Sequence, residues 1–157
     1  MHKPAFLFVC LGNICRSPLA EAAFRAAAEA AGVDAIADSA GTGDWHVGSR
    51  PDRRSIAVAA KHGIDIAGQR ARQVARADFE RFDHILALDP QNLADLRRIA
   101  PAGGGRARLR LLLDVVPGWE GQGVDDPYYG GPDGFDRTWD EVRTAADMLV
   151  RALVEHC

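Results

Sequence analysis

Apolar positions along this chain follow two rhythms. Ala5 to Cys10, "AFLFVC", is an unbroken apolar run of strand length, the pattern of a strand buried on both faces. Pro18 to Gly32, "PLAEAAFRAAAEAAG", is an alanine-rich helix with proline in its first turn and glycine as its stop. Ser17 occupies the expected N-cap position, and Glu21 falls one residue too late to complete a capping box. "DAIADSAGT" then reads as a second strand and "PDRRSIAVAAKHGI" as a helix closed by Gly63. "FDHILALD" is a third strand, and "PQNLADLRRIA" a helix with Leu93, Leu96 and Ile99 on one face. "RARLRLLLD" is a fourth strand, and "DGFDRTWDEVRTAADMLVRALVEHC" a long amphipathic closing helix.

Strands alternating with helices predict an α/β domain: a parallel sheet covered by helices on both faces, in three layers. No repeat and no long linker divides residues 1–157, so a single domain is expected. In such folds ligands bind beyond the carboxyl ends of the strands. The segment Cys10 to Ser17 lies there, between the first strand and the first helix.

Composition narrows the function classes. Hydrophobic residues make up 47% and charged residues 26%, values of a soluble globular protein. A net charge of -3 argues against a general nucleic-acid binder. No apolar stretch approaches the roughly 18 residues of a membrane helix, and "MHKPAFLFVCLGN" is too short an apolar run for a signal peptide. Cys10, Cys15 and Cys157 are too few and too scattered for a disulfide framework, which favours the reducing cytoplasm. His2, His46, His62, His84 and His156 lack ligand spacing, so neither a metal nor another cofactor is expected.

The chemistry concentrates in "VCLGNICRSP". Backbone N–H groups at a helix N-terminus suit a tetrahedral oxyanion, so Leu11, Gly12, Asn13, Ile14 and Cys15 would wrap one. Gly12 permits close approach or positive φ, and Asn13 tolerates a left-handed backbone. Arg16 follows Cys10 by six residues, so a curled loop brings guanidinium and sulfur to one phosphorus, with a planar fork matching two phosphate oxygens. Ser17 can donate its hydroxyl to the Cys10 sulfur. A cysteine among N–H dipoles and an arginine is held as thiolate, the nucleophilic form. The reaction that fits is phosphoryl transfer to sulfur followed by hydrolysis. A buried, inert cysteine ending a strand is the plain alternative; Gly, Asn, Arg, Ser and Pro in this order argue for the site. Cys10 and Cys15 are also close enough in sequence for a disulfide across the loop to protect Cys10 from over-oxidation; the equal alternative is that Cys15 only packs under the loop.

A phosphate ester's leaving oxygen needs a proton donor. Asp89-Pro90 opens a helical pattern, so Asp89 reads as an N-cap. Asp126-Pro127 lies in the irregular "GVDDPYYGGPDG", a segment of the kind that lines sites, and Asp126 is the chosen acid, with Asp125 its solvated neighbour. Trp45 and Tyr128, with Tyr129 beside it, lie in glycine-rich loops; together they can wall a cleft for a flat ring, which favours an aryl phosphate.

Through "VCLGNICRSPLAEAAF", "DSAGTGDWHVG", "HGI", "RARQV", "FDHILALD", "NLADL" and "DDPYYGG", the chain resembles the low-molecular-weight protein tyrosine phosphatases nearly end to end. That resemblance implies a four-stranded parallel sheet flanked by helices. It makes Cys10 the nucleophile, Arg16 the phosphate-binding arginine and Asp126 the general acid. Asn13, Ser17 and Ser39 would hold the loop, and Trp45 and Tyr128 would line the cleft. Gln69 stands where several members carry a histidine that supports the loop. Phosphotyrosine-containing proteins are the implied partners, with an autophosphorylating tyrosine kinase of bacterial type as one such substrate; neither nucleic acid nor membrane is expected to take part. A thiol-dependent arsenate reductase shares this loop but relays a disulfide through further cysteines, and none lies between Cys15 and Cys157. A cysteine phosphocarrier would need neither Arg16 nor Asp126.

Overall fold

The computed structural model describes residues 3–155; Cys157, His2 and His156 lie outside them. Four parallel strands, β1 (Ala5–Cys10), β2 (Ile36–Gly41), β3 (His84–Ala87) and β4 (Arg108–Leu111), form one sheet in the order β2-β1-β3-β4. Every β1 residue is buried, and the register carries Cys10 opposite Gly41 at the carboxyl edge. The unbroken apolar run serves two cores at once. Phe6, Phe8 and Cys10 face one cluster, whereas Ala5, Leu7 and Val9 face the other, as strand periodicity requires.

Helices α1 (Arg16–Ala30), α2 (Arg53–Lys61) and α5 (Pro132–Glu155) belong to the first side. Small alanines on α1 let α5 approach closely, and Leu19 and Phe24 meet Trp139, Val142, Ala146 and Leu149 in one cluster. The Phe24 ring lies 4.6 Å from that of Phe6 and 5.6 Å from that of Phe8. On the other side, α3 (Asp78–Arg81) and α4 (Pro90–Ile99) contribute Phe79 and Leu96. Among the described residues no helix is long and apolar enough to cross a membrane.

Three details depart from the sequence reading. Helix α1 begins at Arg16, so Ser17 is not its N-cap; Cys15 holds that position without a side-chain cap, because the Ser17 hydroxyl is committed to sulfur. The run "LRLLLD" leaves the sheet after Leu111 and closes into a 3-10 turn over Leu112–Val115, which drives Leu112 and Leu113 into the core. The short helix α3 is an added element that no apolar period of its own announces.

Candidate active site

The Cys10–Ser17 loop joins the central strand to α1 and is closed by its own side chains. Asn13 carries the turn in a left-handed backbone, φ 58°. Its N–H donates to Cys10 Sγ at 3.3 Å. Its side chain is oriented without ambiguity: the Arg72 backbone N–H donates to Oδ1 at 3.0 Å, so Nδ2 must be the donor to Ser17 Oγ at 2.8 Å and Ser39 Oγ at 3.0 Å. Ser17 Oγ therefore accepts from Asn13 and is left with its own proton to give to Cys10 Sγ, 3.0 Å away. Ser39 in turn donates to Glu21 Oε1 at 2.9 Å, and Arg25 Nε donates to Glu21 Oε2 at 2.9 Å. Glu21, which missed the capping box by one position, is thus a buried anchor of this chain of hydrogen bonds. Burial raises its carboxyl above the usual range, against the pull of Arg25 and Ser39.

Gly12 owes its place to space, not to φ: a Cβ there would come within 3.0 Å of the His46 ring. Gln69 reaches only the Pro18 carbonyl, at 3.4 Å, so the loop's support comes from Arg72, Ser39 and Glu21 instead.

Arg16 is 3% exposed, and its guanidinium is held from the side away from the loop. Nη1 donates to Asp89 Oδ2 at 2.6 Å and to the Val124 carbonyl at 2.9 Å. Asp89 divides its oxygens, since Oδ1 accepts the Asn92 N–H at 2.7 Å and caps α4. The cap reading holds, but it captured half of what Asp89 does. Val124 N–H pairs with the Leu88 carbonyl at 2.7 Å, which roots the following loop at the end of β3. Two residues on, the Asp126 carboxylate stands 3.7 Å from Arg16 Nη2, with its side chain 42% exposed.

A cleft of about 320 Å³ lies over the loop. Cys10, Leu11, Gly12, Ile14, Cys15, Arg16, Trp45, Asp126 and Tyr128 all border it; Asn13, Ser17 and Ser39 stand behind it as supports. A cysteine sulfur, a fixed guanidinium and an accessible carboxyl around one hollow suit a phosphate ester whose aryl group rests against the flanking rings.

Likeness to known proteins agrees with this arrangement. The profile of the family described as low molecular weight phosphotyrosine protein phosphatase matches residues 5–156. The chain belongs to that family. It is 50% identical over 132 residues to the Schizosaccharomyces pombe low molecular weight phosphotyrosine protein phosphatase, covering 82% of this chain and 83% of that one. It is 47% identical to a low molecular weight protein-tyrosine-phosphatase of Streptomyces coelicolor, covering 94% and 92%. The crystal structure of YfkJ from Bacillus subtilis superposes with a TM-score of 0.91 at 37% identity, over 99% of this chain and 98% of that one.

In this phosphatase the first turn of α2 ties the two halves of the site together. Asp52 N–H donates to the Ile14 carbonyl at 2.8 Å, and Ser55 Oγ to the Cys15 carbonyl at 3.3 Å, both in the phosphate loop. The Asp52 carboxylate holds Arg54 at two points, Nε and Nη2, each at 3.0 Å. The guanidinium so fixed lies 5.5 Å from the Tyr128 ring centre and 4.5 Å from that of Phe135, under the segment that carries Asp126. Asp126 Oδ1 also accepts the Tyr128 N–H at 3.1 Å. Besides Asp52 and Arg54, sequence reasoning missed Arg72 and Glu21 as loop supports and His46 as part of the cleft wall. A carboxylate at an N-cap two residues before an arginine was the one visible hint of the α2 clamp.

Cys15 is 5% exposed, and burial, then Asp52 and Cys10, push its thiol up to about 12. At neutral pH it is a thiol and not a competing nucleophile.

Proposed function

We propose that this phosphatase hydrolyses phosphotyrosine in proteins, and small aryl phosphates, through a thiophosphate on Cys10. The observation that carries the proposal is the convergence of Cys10, Arg16 and Asp126 on one cleft flanked by Trp45 and Tyr128. The Cys10 thiolate attacks phosphorus as the bond to the tyrosine oxygen breaks, and Asp126 protonates that oxygen. Arg16 and the loop N–H groups hold the equatorial oxygens, the guanidinium having been set in plane beforehand by Asp89 and Val124. Water then attacks the thiophosphate, the Asp126 carboxylate takes its proton, and the S–P bond breaks. Ser17 donates to the departing thiolate, which makes sulfur the better leaving group.

The partners in this reading are phosphotyrosine-containing proteins, an autophosphorylating bacterial-type tyrosine kinase among them, and a site built on a free thiol favours the reducing cytoplasm. Turnover of p-nitrophenyl phosphate by the purified protein, with Cys10→Ser alongside, tests it. The expected result is hydrolysis by the unaltered chain and none by Cys10→Ser; turnover surviving in Cys10→Ser would overturn it.

A further inference from the structure

The cleft does not end at Trp45. Beyond that ring lies a second hollow of about 290 Å³, bordered again by Leu11 and Trp45 and closed by Gly43, Asp95, Arg98 and Ile99. Leu11 and Trp45, 42% and 70% exposed, therefore stand as an apolar partition between two hollows. The partition is held firmly. The Trp45 ring lies against Gly43, where even a Cβ would come 2.0 Å from Cζ3, and the Gly43 N–H donates to the Leu11 carbonyl at 2.9 Å. Exposed apolar side chains that adjoin, as Leu11 and Trp45 do, mark an interaction surface in a way that scattered ones do not.

The charges at the second hollow cancel. Arg98 pairs with Asp95, which also accepts from Gln91 Nε2 at 3.1 Å, so no single charge is left to select an acidic or basic ligand. Beside Thr42 and Gly43, the remaining lining is Leu11, Trp45 and Ile99, so it is mostly apolar. A phosphotyrosine with its ring against one face of Trp45 leaves its main chain at the mouth of the cleft. An extended chain advances about 3.3–3.6 Å per residue, so a near neighbour reaches across the partition.

We propose that this second hollow is a substrate subsite that takes an apolar side chain within two residues of the phosphotyrosine in a polypeptide substrate. The proposal rests on the phosphotyrosine reading above and adds a sequence preference to it. The subsite belongs to binding and not to chemistry, so small aryl phosphates, which cannot reach it, are indifferent to it.

The test compares kcat/KM for short phosphotyrosine peptides carrying Leu or Ser at each of the two positions on either side, with p-nitrophenyl phosphate as the internal standard. Leu at one of these positions is expected to raise kcat/KM about five- to tenfold, mainly through KM, in keeping with what an apolar pocket discriminates. Ile99→Asp should abolish that preference and leave p-nitrophenyl phosphate turnover unchanged. Because Ile99 also packs against the core, Ile99→Ala is run beside it, with an expected reduction of the preference and a melting curve as the check on folding. Equal kcat/KM for the Leu and Ser peptides at every position overturns the subsite in the unaltered chain, and a preference that survives Ile99→Asp in a folded protein overturns it as well. Turnover of p-nitrophenyl phosphate with no cleavage of any peptide would instead remove the protein-phosphatase reading, and the subsite with it.

Discussion

The two segments that meet over the cleft are built in opposite ways. The Cys10–Ser17 loop is densely held: Asn13 alone makes four hydrogen bonds, two within the loop, to Cys10 and Ser17, and two beyond it, to Ser39 and Arg72. The segment around Asp126 is exposed, without regular structure, and held by borrowed contacts. These are the Val124 pairing to Leu88 and Arg16, the longer approach of Asp126 to Arg16, and the Arg54 guanidinium against Tyr128. In the proposed reaction Cys10 meets a tetrahedral ion of fixed shape, which rewards a preset cradle. Asp126 there meets whatever leaving group the substrate brings and lets product escape, which rewards a segment that can give way.

That contrast can be broken at its acid end with the largest effect. Tyrosine's phenol has a pKa near 10 and leaves poorly unprotonated, whereas p-nitrophenol is far more acidic. Asp126→Ala is expected to slow phosphotyrosine or phenyl phosphate cleavage by about 10²–10⁴-fold and p-nitrophenyl phosphate distinctly less. Asp89→Ala sharpens the point: it should cost more than about 1 kcal/mol of stability, the loss of a cap alone, because the buried Arg16 guanidinium also loses its partner, and it should impair both substrates alike. A steep leaving-group dependence in Asp89→Ala and none in Asp126→Ala would reverse the assignment.

Asn13→Ala strikes the other segment. Ser17, Ser39 and the Arg72 N–H would each lose a partner in a buried setting, at an expected cost of about 1–3 kcal/mol in chemical denaturation. Turnover should fall about tenfold on both substrates, since a misplaced cradle does not sense the leaving group. A loss confined to phenyl phosphate would contradict the division of labour.

The smallest effect is expected at the clamp between the segments. Arg54→Ala should lower kcat on phenyl phosphate about three- to tenfold and leave p-nitrophenyl phosphate nearly untouched, because it loosens the acid without disturbing the nucleophile. Arg54→Lys keeps the charge but not the planar double contact with Asp52, and should restore little. Equal losses on both substrates would make Arg54 a plain structural residue.

The same asymmetry explains what could be read from sequence. The phosphate loop is contiguous, so its residue types, spacing and flanking strand all stand in one line of text. Asp126 was legible because proline and glycine mark an irregular segment with an acid in it. The supports were not legible. Arg72 acts through its backbone N–H, which any residue but proline would supply. Arg54 acts on a ring 74 positions later, and Glu21 looked like a capping residue out of register. The strand order was also hidden, since neighbours in this sheet are set by crossover packing and not by any local pattern. Ser17 was misplaced as an N-cap because its hydroxyl serves the sulfur, a choice that helix statistics do not contain.

Arg16 carries a consequence for how the protein is made. Its guanidinium is seated by Asp89 and by the Val124 carbonyl, 73 and 108 residues further along the chain. At ribosomal speeds of about 5–20 residues per second, roughly 5–20 s separate synthesis of the arginine from synthesis of its last partner. Throughout that interval the nascent polypeptide lacks at least one of the two groups that seat its arginine. Competence arrives only when the carboxyl-terminal third has emerged and docked, so a fragment cut short before Val124 holds the whole phosphate-loop motif and still lacks the seat for its arginine.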